Sequence, residues 1–281
     1  MMRDVFVPFC NDRMFCSVLM RNPDLARELL ELILEVKIEL VECINAQQVL
    51  NYSTDRKSVR LDVFLKDGQK ITYDLEMETG KNPGRLKILP IRSRLYGGAI
   101  DMEMYPAGAN YSDVKPAYVI FLCLHDPFGR GLAKYSCSVT CTQDHSAGVQ
   151  NGLTYVYLNC NANIWNISDE LHSVLSCIRD RTICETELVK RIDSVVRQYN
   201  EDCEWRRWYM TLEQKLNERF EDGRDLGIEQ GIEEGRNQER TKTITAMIEN
   251  GFNDSMIMSV FETVTAEDIA VIRRQMAQAS Q

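Results

Sequence analysis

The stretch RKSVRLDVFLKDGQKITYDLEME, from Arg56 to Glu78, decides how this chain folds. Successive side chains of a strand point to opposite faces. Val59, Leu61, Val63 and Leu65 therefore share one face of a first strand, with Arg60, Asp62 and Phe64 on the other. A second alternating run, Lys70 to Glu78, sets Ile71, Tyr73, Leu75 and Met77 against Asp74, Glu76 and Glu78. Asp67-Gly68 between the runs marks a hairpin. Loop parity then controls the chemistry. An even loop makes opposed positions sum to an odd number and turns Asp62 away from Glu76. An odd, three-residue loop, with Gly68 left-handed and a bulge, puts Asp62, Asp74 and Glu76 on one face, and this is the predicted arrangement.

Carboxylates gathered from adjacent strands suit a hard divalent cation such as Mg²⁺, which binds oxygen ligands and activates water. Asp62 and Glu76 are the expected pair. Acidic outer faces of strands are more often simply solvated, and this reading stays open. The next segment bears on the choice. From Thr79 to Ile100 the chain carries Lys81, Arg85, Lys87, Arg92 and Arg94 and no acidic residue, although the whole chain has a net charge of −9. That deficit argues against a protein that coats nucleic acid non-specifically and points to local phosphate contact instead. Lys81, Arg85 and Lys87 fall in a Pro/Gly-containing loop. Arg92, Arg94 and Tyr96 sit on a helix opened by Pro90, where the alternative is pairing with Asp74, Asp101 or Glu103. Glu28 or Glu31, on the first helix, could add a ligand.

Outward from the hairpin, Asn22-Pro23 followed by Leu25, Leu29, Leu30, Ile33 and Leu34 predicts an amphipathic helix that packs on a sheet. Ala117 to Leu124 and Gly152 to Leu158 read as buried strands. From Ser168 the spacing turns helical. Glycines 223, 227, 231 and 235 recur every four residues in a charged segment, and inside a helix each costs about 1 kcal/mol relative to Ala. Breaks are expected at Asn250-Gly251 and at Thr265, whose hydroxyl and Asp268 suggest a capping box. The closest cysteine pairs, Cys10 with Cys16 and Cys137 with Cys141, lack zinc-site spacing, and the three histidines form no triad with Ser or Cys.

Three segments taken in order carry a family resemblance: Arg56 to Glu78, IRSRLYGGAID (Ile91 to Asp101) and KPAYVIFLCLHDPFG (Lys115 to Gly129). The chain is similar to the recombination-promoting nuclease and transposase family of the PD-(D/E)XK nuclease superfamily. EWRRWYMTL (Glu204 to Leu212) and the glycine-repeat tail extend the likeness over most of the chain from about Asp12 onward. The resemblance implies an α/β, restriction-endonuclease-like core with a mixed central sheet flanked by helices, and Mg²⁺-dependent DNA endonuclease activity, with Mn²⁺ as a substitute ion. Asp62 stands at the family's Asp and Glu76 at its Glu. The third catalytic position, Lys in the superfamily and usually Gln in the family, falls on Glu78. An ionised Glu accepts hydrogen bonds but donates none, and it adds negative charge beside a phosphate.

The expected organisation is a nuclease-like core over 1–163, helices over 164–212 packed on it, a glycine-repeat helical linker over 213–240 and a small helical appendage over 241–281. Three functions compete: an active metal-dependent DNA endonuclease, a weakened or inactive DNA-binding or regulatory protein on a nuclease fold, and an oligomeric interaction protein. The expected partners are DNA and a second copy of the chain, with no membrane and no organic cofactor. A cytoplasmic location is the default.

Overall fold

The computed structural model describes residues 6–46, 49–50, 59–149, 151–180, 186–261 and 263–279. Helices α1 (Asp12–Arg21) and α2 (Pro23–Leu34) precede strand β1 (Val41–Ala46). The short pair β2 (Val49–Leu50) and β3 (Val59–Arg60) leads to the hairpin β4 (Val63–Asp67) and β5 (Thr72–Glu78). Then come α3 (Pro83–Lys87), α4 (Leu89–Met104), β6 (Ala117–Cys123), β7 (Lys134–Cys137), β8 (Leu153–Asn159), α5 (Asp169–Asp180) and α6 (Glu187–Glu201). The chain continues through α7 (Cys203–Glu249), α8 (Asp254–Val260) and α9 (Ala266–Ala279). The protein is thus α/β, and among the described residues no helix is long and apolar enough to cross a membrane.

Six strands form an open mixed sheet in the order β1-β4-β5-β6-β8-β7. β5, β6 and β8 run parallel, and β1, β4 and β7 pair antiparallel with their neighbours. Such a sheet has apolar residues on both faces and must be covered on both. Helix α1 packs against β1, β4 and β5 and α2 packs against β1, with α6 against both helices and α5 against α2 and α6. Helix α4 lies on β6. Beneath α4, Leu89, Ala99 and Ile100 meet Phe64, Val119, Phe121, Cys123 and Tyr157 in one buried cluster. Gly97 allows this close approach, since a Cβ there would stand 2.6 Å from Leu153 Cδ2.

The hairpin has the odd loop the sequence suggests. Val63 faces Leu75 and Phe64 faces Asp74, so opposed positions sum to an even number. Three residues, Gly68, Gln69 and Lys70, make the turn, closed by Lys70 N–H to Asp67 C=O (3.0 Å) and Asp67 N–H to Ile71 C=O (3.0 Å). The left-handed residue is Lys70, φ 67°, not Gly68. In this turn the third loop position carries the positive φ, and Gly68 holds the first. Asp67 secures the arrangement. Its Oδ1 accepts from Gln69 N–H and Ile71 N–H (both 2.9 Å), and its Oδ2 accepts from the Tyr73 hydroxyl (2.8 Å).

The first strand of the hairpin is not continuous. Residues 56–58 lie outside the described residues, and the ladder breaks at Leu61 and Asp62 between β3 and β4. The break reverses the alternation, because Val59 and Leu61 join the same buried cluster as Phe64.

The contacts divide the chain into Met1–Arg207 and Trp208–Gln281. In the second unit, Ile244, Ile257, Val264, Ile269 and Ile272 form a core. α7 ends in a Schellman turn: Gly251 (φ 82°) donates to Ile248 C=O and Phe252 to Met247 C=O, both at 3.0 Å. Thr265 and Asp268 make the reciprocal bonds of a capping box. The four recurring glycines lie within α7, where a Cβ at each would meet nothing within 4 Å among the described residues.

Two substitutions test the turn by thermal or urea unfolding. Asp67→Ala strands the buried Tyr73 hydroxyl and two turn amides, and is expected to lower stability by about 2–4 kcal/mol. Lys70→Gly relieves the left-handed backbone and is expected to raise it by up to about 1 kcal/mol. A loss at Lys70→Gly would show that the turn is not under this strain.

Candidate functional site

Continuing the β4–β5 register by one position places Asp62 across from Glu76, and the two are in contact. The Asp62 N–H, freed from the ladder by the break, donates to Glu76 Oε1 at 2.8 Å. Asp62 Oδ2 accepts from Met77 N–H at 3.3 Å. Helix α1 supports this turn of chain through the Cys16 thiol, which lies 3.4 Å from the Asp62 carbonyl. Asp74 and Glu76 alternate along β5 on the side that α4 covers, so both are buried, at 0% and 3% exposure.

Asp74 is the anomaly. Both its carboxylate oxygens are buried, and no N–H or hydroxyl donor reaches them among the described residues; their close polar neighbour is the Glu76 carboxyl, with which one shared proton makes a hydrogen bond. An unpaired buried carboxylate is costly unless it holds a proton or faces a cation. Burial pushes the Asp62 carboxyl up to about 6 and raises Asp74 and Glu76 well above the carboxylate range. Mutual repulsion adds to burial, Asp62 acting on Asp74 and both acting on Glu76.

Glu78, also buried, takes a different environment. Its Oε1 accepts from Gly80 N–H at 2.9 Å and its Oε2 from Arg92 Nη1. Arg92 Nη2 lies 3.5 Å from Glu76 Oε2 and donates to the Tyr96 hydroxyl at 3.2 Å. The guanidinium stacks over Phe121, 5.3 Å from its ring centre.

Of the residues expected at a site, Asp62, Glu76, Glu78, Arg92 and Tyr96 come together. Lys81, Lys87 and Arg94 are exposed. Arg85 and Lys87 are not in a loop as expected, because Asn82 caps the short helix α3 and Pro83 opens it. Glu28 and Glu31 do not reach the site. Glu28 binds Arg191, and Glu31 accepts from Ile38 N–H and pairs with Arg27 and Lys37. The nearby acid on a first helix is instead Asp12 of α1, whose charge pushes the Asp62 pKa upward. Asp12 was legible only as the residue after an N-cap, Asn11, which accepts from Arg13 and Met14 N–H. Asp74 was legible as a member of the acidic face, but not as its most deeply buried acid.

The donor set is oxygen only, which fits Mg²⁺ or Mn²⁺ rather than a softer ion. Among the described residues no three His, Cys, Asp or Glu side chains stand ready-arranged around one point. Mg²⁺ does not require that, since one or two carboxylates with water and substrate oxygens complete its shell. Asp62 and Glu76 supply such a pair, with the buried Asp74 beside Glu76. No family model, curated protein or solved structure matches the chain.

The raised pKa values set a sign. A carboxyl whose folded pKa exceeds its unfolded value holds its proton longer in the native state, so its contribution to stability is lost as pH rises. For Asp62 the loss spans roughly pH 4 to 6, and for Asp74 it continues above that. Asp74→Asn, which keeps the shape without the titration, is expected to stabilise the metal-free protein, and more at pH 8 than at pH 5. Melting temperatures at the two values test this. An equal shift at both would mean that Asp74 does not titrate between them.

Proposed function

We propose that this chain is a divalent-metal-dependent DNA endonuclease on a restriction-endonuclease-like core, in keeping with the PD-(D/E)XK resemblance of its sequence. One observation carries the reading: Asp62 and Glu76 stand across from each other at a break in the hairpin, with a third acid, Asp74, buried against Glu76 and given no N–H or hydroxyl donor among the described residues. Three acids forced together under a helix oppose folding. Such an arrangement is the mark of a functional site, where local rules are broken for chemistry.

Asp62 and Glu76 would hold the ion. When bound, Mg²⁺ supplies an activated water and neutralises charge on the reacting phosphate. The chain's own part is to fix the acids. The Asp62 amide orients Glu76, the Met77 amide orients Asp62, and Arg92 of α4 reaches the same Glu76 carboxylate. Exposed Lys81, Lys87 and Arg94 are the groups proposed to meet the DNA backbone, with Arg85 of α3 in the same stretch. The proposed catalytic core is residues 1–163, with α5 and α6 packed on its helices α1 and α2.

Plasmid nicking with Mg²⁺ or Mn²⁺ tests the reading. Asp62→Ala and Glu76→Ala are each expected to lower the rate by more than about 100-fold, since even groups behind metal ligands cost 10–100-fold. Both variants should melt at or above the wild-type temperature, because each removes a buried carboxylate. A wild type that binds DNA yet nicks no faster than these variants would overturn the catalytic reading.

A further inference from the structure

We propose that Arg92 is the cationic catalytic group of this site and that Glu78 is the positioning residue that holds it there. The donor expected on strand β5 is thereby supplied from helix α4. The inference rests on the nuclease reading and removes the main objection to it, the acid at position 78.

Glu78 is badly placed to be a ligand or a base. It is 1% exposed, one carboxylate oxygen takes the Gly80 amide and the other takes Arg92. A carboxylate so engaged has little capacity left to bind an ion. What it does instead is fix the guanidinium. Tied at Glu78, Arg92 extends its second terminal nitrogen toward Glu76 Oε2 and the Tyr96 hydroxyl. Phe121 and Tyr96 lie under its π-face, at 5.3 and 5.5 Å. The side chain keeps 22% exposure, so it is not sealed from an incoming phosphate. An Arg presents five N–H donors in a rigid fork, more than these contacts consume.

The placement reproduces a strand-borne donor in two respects. The positive charge sits against the end of the residue-78 side chain, as a lysine at that position would put one at its own tip. The Glu78–Arg92 pair also sums to zero charge, as a neutral Gln does. The fifth acid of the neighbourhood is therefore already compensated before any ion or substrate arrives, Asp12, Asp62, Asp74 and Glu76 being the others. A buried Glu needs a partner in any case, so the pair alone would be consistent with a structural role. The contact of the same guanidinium with Glu76, a proposed metal ligand, is what assigns it to the reaction.

The test uses the full chain in three forms: wild type, Arg92→Gln with Glu78→Gln, and Arg92→Gln with Glu78→Lys. The readouts are plasmid nicking with Mn²⁺, affinity for a fluorescein-labelled DNA duplex in Ca²⁺, and melting temperature. The neutral pair is expected to fold but to lose roughly 100-fold in rate, the cost of one preorganised donor, together with DNA affinity. The Lys form is expected to recover both to within about tenfold. A neutral pair that cuts and binds like wild type reduces Arg92 to a structural partner and overturns the proposal. So does a folded Lys form that recovers neither property. Should the neutral pair fail to fold, Arg92→Met with Glu78→Gln takes its place: it keeps an apolar stem over Phe121 without the charge, and unchanged rate and affinity overturn the proposal. If wild type itself never nicks, the nuclease reading falls. The binding arm then judges Arg92 by itself: affinity lost and recovered supports it as the phosphate-facing cation, and affinity unchanged overturns it.

Discussion

The site depends on one aspartate that takes no part in its chemistry. Asp67 closes the turn between β4 and β5 with its backbone, caps two amides with one carboxylate oxygen and anchors Tyr73 with the other. That network is built on a loop of three residues, an odd number. Three residues make the paired positions sum to an even number, and only then can Asp62 stand across from Glu76. A turn shorter or longer by one residue would move the acids of β5 to the opposite face from Asp62. Register is a long-lever quantity: a choice made in the loop is felt five residues away. It is held tightly here because both faces of the hairpin are buried, so a slip would also drive Phe64 and Leu65 onto the wrong sides.

Much of this was legible in the sequence, for a physical reason. Period-2 alternation over Lys70 to Glu78 reports β5 directly, and parity is arithmetic once a hairpin is accepted. The apolar runs at Ala117 and Gly152 likewise correspond to β6 and β8. Three things were hidden. Alternation cannot register a ladder break that leaves residue types in step, so Val59 to Leu65 reads as one strand although Leu61 and Phe64 meet in the same core. An Asp-Gly pair draws the left-handed conformation to Gly68, whereas a three-residue loop demands it two positions later, at Lys70. The acidic face of β5 looks solvated because the helix that covers it has no clean apolar stripe. α4 buries Leu89, Ser93, Gly97, Ala99 and Ile100 while exposing Ile88, Ile91, Leu95 and Met102. A helix that fits by small residues at a close approach leaves little trace in hydrophobic periodicity.

The electrostatics of the covered face then follow from few components. Burial raises the proton affinity of Asp62, Asp74 and Glu76, and each acid raises that of its neighbours. Arg92 is a cation placed among them, its interaction divided between Glu78 and Glu76, and Arg60 also favours the ionised form of Asp62. Protons can relieve the remaining repulsion at low pH and a divalent ion can relieve it at neutral pH. These two are mutually exclusive at the same oxygens, so ion binding at such a site must release protons and strengthen as pH rises.

A net charge of −9 is an apparent obstacle to a protein proposed to act on DNA. Its distribution reduces the conflict. Lys81, Lys87, Arg92 and Arg94 occupy a segment without acids that runs from the end of β5 into α4, adjoining the carboxylates in sequence. Long-range repulsion between the whole chain and a polyanion is screened within about 8 Å at physiological ionic strength, whereas contacts inside that distance are not. Association with DNA through a few phosphate contacts, as proposed, would therefore have a shallow dependence on salt compared with a basic nuclease. Selectivity would then lie in the step that brings a phosphate up to the buried acids, where Arg92, held by Glu78, also approaches Glu76.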